Sequence, residues 1–197
     1  MNNKLFGSLS VLQMGVGALL CLGLNAMADD TMWVQDARTV AASVPPKLLK
    51  VLSDEIAKGG PASAVNVCNE KAPQMAKAAS EQTGWTIRRV SLRNRNPKAV
   101  PDTWERTTLE EFDRRAAAGE DASKLEKYAV VDNAGRAEYR YMKALPTQQL
   151  CRSCHGATEV MAPDVVSKIH MLYPDDKAVG YALGQIRGAM TIRKGQP

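Results

Sequence analysis

The chain has 197 residues, 45% of them hydrophobic and 24% charged, with 26 Lys and Arg against 21 Asp and Glu for a net charge of +5. That composition excludes a disordered polyelectrolyte. The interspersed signs also argue against a nucleic-acid interface, which gathers basic residues into a patch.

The first segment reads as a leader. Lys4 is the only charge before Asp29, residues 5–24 form an apolar run, and Ala26-Met27-Ala28 offers the small-x-small pattern of a signal-peptidase site. The run is nearly long enough to span a bilayer, but its Ser, Gln and Gly residues and the Ala-x-Ala site favour cleavage over anchoring. Leu20 is too large for the position before a lipoprotein cysteine at Cys21. The expectation is a signal peptide over 1–28 and one mature domain over 29–197. That domain is periplasmic, with no stable membrane insertion after cleavage.

Residues 31–58 read as helix, interrupted or kinked at Pro45-Pro46. Gly59-Gly60 is a stop signal, and Pro61 suits the first position of a new helix. There Val65, Cys68, Ala72, Met75, Ala76 and Ala79 recur at steps of three or four, which puts them on one inward face. Gly84 ends this helix. The stretch 85–92, "WTIRRVSL", reads as a strand, and 93–102, "RNRNPKAVPD", as a loop. Residues 102–118 form a helix with Trp104, Leu109, Phe112 and Ala116 as its inner stripe. Strands over 127–132 and 137–145 join through Asn133-Ala134-Gly135 as a hairpin. A short helix carries "CRSCHG", another piece runs toward His170, and 185–193 closes the chain as a strand. Hairpin-joined strands favour an antiparallel sheet, hence α+β; a doubly wound fold would need repeated strand–helix alternation.

"CRSCHG" (151–156) carries the chemistry. Past the leader the thiols are Cys68, Cys151 and Cys154, an odd number that no simple disulfide framework uses up. Cys-x-x-Cys-His in a secreted chain is the attachment signature of c-type haem. Two residues between the thiols match the vinyl spacing on one helical turn, and the next histidine reaches the iron. A structural zinc site needs four ligands, usually as two spaced pairs, and no second pair exists. A thioredoxin-like dithiol needs a βαβ setting that the element order lacks. The reading is one covalent haem c on Cys151 and Cys154, with His155 as proximal ligand.

The opposite face of the iron has several candidates: His170, Cys68 and the methionines Met32, Met75, Met142, Met161, Met171 and Met190. A methionine on an apolar face is ordinarily core filling. An unpaired thiol in an oxidising compartment is a liability, and ferric haem would bind it as thiolate. The residues alone leave Cys68 open between ligand and inert core thiol. Arg93, Arg95 and Asn96 suit haem propionates, since guanidinium forks match carboxylates, or else a charged turn in water. Gly188 after Arg187 permits close backbone approach.

Four blocks carry a resemblance: "CNEKAP" (68–73), "RRVSLRNRNPKAVPDTWE" (88–105), "CRSCHG" (151–156) and "YPDDKAVGYALGQIRGAM" (173–190). In this order they resemble a bacterial family of unknown function, typified by a PAS-like fold with one c-type haem under His/Cys axial ligation. The chain departs from that pattern at Ala99, where Asn is expected, and at Gln185, where Asp is usual. The resemblance implies attachment through Cys151 and Cys154, His155 and Cys68 as axial ligands, and a PAS-like antiparallel sheet of about five strands flanked by helices.

A thiolate ligand favours ferric iron and a low potential. With both axial positions filled there is no place for substrate, which argues against an enzyme. Two functions follow as expectations. The first is a redox or diatomic-gas sensor, in which reduction or a gas ligand displaces Cys68. With no attached output domain, its signal passes to a separate redox or signalling protein partner. The second is a small electron-transfer cytochrome c that keeps both ligands.

Overall fold

The computed structural model describes residues 22–196, with side chains from Met32 onward. Residues 1–21 of the expected leader lie outside the described residues. Helix α1 (Leu22–Asn66) keeps helical dihedrals through Pro45-Pro46 and breaks at Gly60, at φ 75° and ψ 176°. The break thus falls at the Gly59-Gly60 stop signal, and the interruption expected at the two prolines is absent. Proline's fixed φ suits a helix even though its ring removes a hydrogen bond, whereas Gly60 takes a left-handed φ that suits only glycine. A single π turn (Val67–Lys71) leads into α2 (Ala72–Thr83), which Gly84 ends at φ 71°.

Four strands follow: β1 (Thr86–Val90), β2 (Glu126–Asn133), β3 (Arg136–Pro146) and β4 (Ile186–Gly195). They form one antiparallel sheet in the order β1-β4-β3-β2. The sheet is flanked by helices, so the fold is α+β. Among the described residues it has four strands where the resemblance implied about five. The four segments with β-branched or aromatic strand character are the four strands, and every other segment is helical or a Pro- and Gly-rich connection. Ala134 and Gly135, both at positive φ, make the tight turn between β2 and β3. Helix α3 (Thr103–Ala117) lies between β1 and β2, while the short α4 (Arg152–His155) and α5 (Pro163–Leu172) lie between β3 and β4. No helix among the described residues is long and apolar enough to cross a membrane.

Period-two alternation gives the sheet two buried faces. On one, Trp33, Val34, Ala37, Val40, Ala41 and Val44 of α1 pack on Trp85, Ile87, Tyr139, Tyr141, Met190 and Ile192. On the other, Leu109 and Phe112 of α3 pack on Val90, Met142, Ala144 and Ala189. Each large apolar side chain so buried contributes roughly 1.5–3 kcal/mol. A third cluster, Val65, Met161, Val165, Ile169 and Tyr173, joins the end of α1 to α5 and takes in Cys154.

Glu105 is fully buried and ties α3 to the sheet. Its carboxylate accepts from the Asp102 amide at 2.9 Å, from Arg88 of β1 at 2.5 Å and from the Thr191 hydroxyl of β4 at 2.9 Å. Asp102 accepts from the Glu105 amide in return, completing a capping box, and pairs with Arg140 at 2.6 Å.

Strand β4 carries an irregularity that bears on the site. Ala144 faces Ala189, but the next pair is Pro146 with Ile186, so β4 holds one residue more than β3 there. Gly188 lies in this bulge at φ 143°, and a Cβ on it would stand 2.3 Å from the Val90 carbonyl oxygen. A bulge resets the alternation of faces. Arg187, which strict alternation would send toward α3 with Ala189 and Thr191, reaches His155 beside Arg89 instead.

Gly188→Ala should therefore destabilise the fold by about 2–4 kcal/mol, from positive-φ strain plus a backbone clash; an unchanged urea midpoint would contradict it. A second expectation concerns acid. Burial opposes ionisation of Glu126, yet hydrogen bonds from Arg38 and Tyr141 hold its carboxyl below the ordinary value. Asp102 is held low against burial in the same way, by the Glu105 amide and Arg140. Folded-state values below the unfolded ones mean that this stabilisation is complete above the unfolded carboxylate range, near pH 4. It is lost as pH falls through the depressed values. Melting temperature followed from pH 6 downward should drop there, and less steeply in Glu126→Gln.

Candidate functional site

The site forms where α4, the 176–181 loop, the start of β4 and the end of β1 meet. Gly156 caps α4 at φ −68° and ψ −169°, and a Cβ on it would come within 2.7 Å of the Arg152 carbonyl oxygen. Glycine after the histidine thus lets the chain fold back tightly over the cysteine turn. The 176–181 loop then pairs with that turn: the Gly180 amide donates to the Gly156 carbonyl at 2.7 Å, and the Tyr181 amide to the His155 carbonyl at 2.8 Å.

His155 is buried. Its Nδ1–H donates to the Ala178 carbonyl at 2.6 Å, which leaves the lone pair on Nε2. Burial, reinforced by the positive charges of Arg187, Arg95 and Arg89, holds its pKa well below the ordinary imidazole value, so the ring is neutral. A neutral imidazole oriented through Nδ1 presents Nε2 as a metal ligand.

Two arginines from the 93–102 loop brace this arrangement. Arg95 and Asp176 form a buried ion pair at 2.8 Å, and the same guanidinium donates to the Cys154 carbonyl at 2.7 Å. Asp176 also accepts from the Ala178 amide at 2.8 Å, fixing the residue whose carbonyl holds His155. Arg93 donates to the Lys177 and Val179 carbonyls and lies over the Tyr181 ring, 4.3 Å from its centroid. Asn96 caps the short turn over 97–99 by accepting from the Lys98 amide at 2.9 Å. Arg93, Arg95 and Asn96 are therefore engaged with the protein itself. Asp176 carries more of the site than its place in "YPDDKAV" indicates; a carboxylate to match Arg95 was the one signal for it.

The three thiols lie within reach of Arg187, which also holds His155. Cys151, Cys154 and Cys68 are unpaired and half-buried. The Cys154 Sγ is 4.0 Å from the Pro61 carbonyl. Burial, with Cys68 next in effect, pushes its thiol up to about 11, so it is a neutral thiol at ordinary pH. Cys68 belongs to the π turn Val67–Lys71, in which the Ala72 amide reaches back to the Val67 carbonyl. Such π turns recur at functional sites because they re-aim one side chain. Of the other candidates opposite His155, Met142, Met161 and Met190 are buried in the cores, while Met32, Met171 and His170 are exposed. No group of three or more His, Cys, Asp or Glu among the described residues is placed to hold a bare metal ion.

Two cations complete the site: Arg89, which reads in sequence as a strand residue, and Arg187, whose sequence signal is only the close backbone approach at Gly188. Arg89 of β1 donates to the Arg187 carbonyl at 2.9 Å, and Arg187 Nη1 donates to His155 Nε2 at 3.1 Å. Both side chains are half-buried, and both Nε atoms are buried without a partner. Cys68 and Cys151 are neighbours of both guanidiniums. The donor set suits haem: a neutral imidazole held through Nδ1, two thiols at the Cys-x-x-Cys spacing, a third thiol near Cys154 and positive charge without a carboxylate partner.

The comparisons agree with this architecture. The crystal structure of the cyanobacterial heme-protein Tll0287 matches at 21% identity and a TM-score of 0.61, over 86% of this chain and 96% of that one, which is a likeness of fold. No curated protein matches. The family model for Tll0287 matches residues 24–194, nearly the whole described chain, and the protein belongs to the Tll0287-like family.

Proposed function

We propose that this protein carries one c-type haem, attached through Cys151 and Cys154 and ligated by His155 and Cys68, and serves as a periplasmic redox or diatomic-gas sensor. The observation that carries the haem reading is the His155 imidazole, held neutral with its Nδ1–H on Ala178, beside the two thiols of "CRSCHG". Fold likeness to a haem protein and membership of its family support it. Periplasmic delivery rests on the leader over 1–28.

When bound, haem supplies a redox-active iron with affinity for small gases. The chain's residues divide the remaining work. Cys151 and Cys154 tether, and Arg95, Asp176 and Ala178 orient His155. Cys68 binds from a π turn, a backbone arrangement with a nearby α-helical alternative. Once Cys68 lets go, that turn can close to α geometry. α2 would then shift by about 1.5 Å along the axis and rotate by about one residue's turn. α2 is coupled to the sheet through the Ser80 hydroxyl, which accepts from the Ile87 amide at 3.0 Å. This is a two-state element of the kind that passes a ligand event to a protein partner. With an axial ligand on each side no substrate position remains, so the reading is of a sensor and not an enzyme.

Cys151→Ala with Cys154→Ala should abolish covalent attachment in a host that matures cytochromes c; porphyrin stain persisting on a denaturing gel would refute the tether. Cys68→Ser should keep the haem covalent while altering the ferric absorption spectrum and raising the potential, and an identical spectrum would place the sixth ligand elsewhere. Ferric and ferrous spectra with and without CO separate the two functions. Ready CO binding after reduction supports sensing, whereas an unchanged six-coordinate spectrum makes the protein an electron carrier.

A further inference from the structure

The inward-facing arginines of this protein fall into two groups. Arg88 pairs with Glu105, Arg95 with Asp176, and Arg140 with both Asp102 and Glu138. Arg89 and Arg187 have no carboxylate partner among the described residues, although their Nε atoms are buried. A charge partly drawn out of water without a counter-charge is unfavourable, so natural folds rarely keep one without use. Here two stand together, Arg89 donating to the backbone of Arg187, and the structure goes to some length to place the second. The β4 bulge at Gly188 admits only glycine, and it turns Arg187 from the α3 side toward Arg89 and His155.

The present partner of Arg187 cannot be its lasting one. Its Nη1 donates to the Nε2 lone pair of His155, and a neutral imidazole contributes no negative charge. That nitrogen has one lone pair, so a metal and a guanidinium cannot hold it together. Loading the site with iron therefore releases Arg187 beside an already unpaired Arg89, and something anionic must arrive in the same event. Haem brings two carboxylates. Arg93, Arg95 and Asn96 are already committed to the 176–181 loop and the 97–99 turn, so they offer them little.

We propose that Arg89 and Arg187 together form a carboxylate-binding site for the haem propionates, with Arg187 passing from the His155 nitrogen to a propionate when iron takes that nitrogen. This inference rests on the haem reading above.

The test uses the full chain carrying Cys151→Ala and Cys154→Ala, so that porphyrins exchange reversibly. Haem and haem dimethyl ester, which lacks the two carboxylates, are titrated by Soret absorbance. The parent should bind haem at least about tenfold more tightly than the ester, as charge-assisted pairs imply. Arg187→Gln and Arg89→Gln should each erase most of that preference, and Arg187→Lys should keep part of it. Equal binding of haem and ester by the parent, or an undiminished preference in the Gln variants, overturns the proposal and leaves the haem reading standing. Failure to bind either porphyrin, in this chain and in the matured wild type alike, removes the haem reading and this inference with it.

Two further measurements do not depend on exchange. Without haem, Arg187→Gln should melt at or above the wild-type temperature, because it removes an uncompensated charge; a clear loss of stability would make Arg187 a structural brace. In the matured holoprotein the same variant should lower the reduction potential, since a cation near the haem edge favours the reduced state, and an unchanged potential counts against the pairing.

Discussion

The structure depends most on one hydrogen bond, from His155 Nδ1–H to the Ala178 carbonyl. It decides the tautomer, the tautomer decides which nitrogen keeps its lone pair, and the lone pair decides what the site can hold. Much of the surrounding architecture serves this bond. Asp176 fixes the Ala178 amide, Arg95 fixes Asp176, and two backbone bonds pin the loop along the Cys-x-x-Cys-His turn. The Arg95–Asp176 pair is buried, and removing either partner would strand a charge. The arrangement is therefore over-determined, as a group that must hold its direction within a fraction of an ångström requires.

The sheet contributes by addressing its two faces differently. Adjacent arginines on β1 diverge, Arg88 toward α3 and Glu105, Arg89 toward the site, because strand side chains alternate. On β4 that alternation would defeat the site, and the Gly188 bulge corrects it. One strand thus serves the α3 core through Ala189 and Thr191, and the candidate site through Arg187.

Local features were legible in the sequence where local chemistry decides them. The hairpin turn at Ala134-Gly135, the α3 boundaries and the tight turn of "CRSCHG" each follow from residues within a few positions. The break at Gly60 follows from the Gly59-Gly60 signal, whereas the interruption that Pro45-Pro46 suggests does not occur, because the long-range packing of α1 on the sheet favours a continuous helix up to Gly60. Arg93 and Asn96 drew attention as a basic loop, yet their partners come from the 176–181 loop and from the next turn. Arg89 looked like an ordinary strand residue. Its isolation from any carboxylate is a property of the assembled fold, as is the bulge that aims Arg187. Such features depend on pairs nearly a hundred residues apart, and no window on one segment contains them.

The two candidate axial groups sit in mechanically unlike surroundings, and this bears on which of them can give way. His155 is held by a buried ion pair, a backbone ladder and a glycine that no other residue replaces without a clash. Cys68 sits in a π turn anchored by the buried Val67 alone, and α2 beyond it has no fully buried residue. Gly60 precedes it as a break in α1, so the segment bearing Cys68 is joined to the long helix through a hinge-like position. Moving His155 would dismantle several buried interactions at once; moving Cys68 exchanges one helical hydrogen-bond pattern for another. If both groups hold iron as proposed, reduction or an incoming gas would displace Cys68 in preference to His155, and the histidine side would be the fixed reference against which α2 moves.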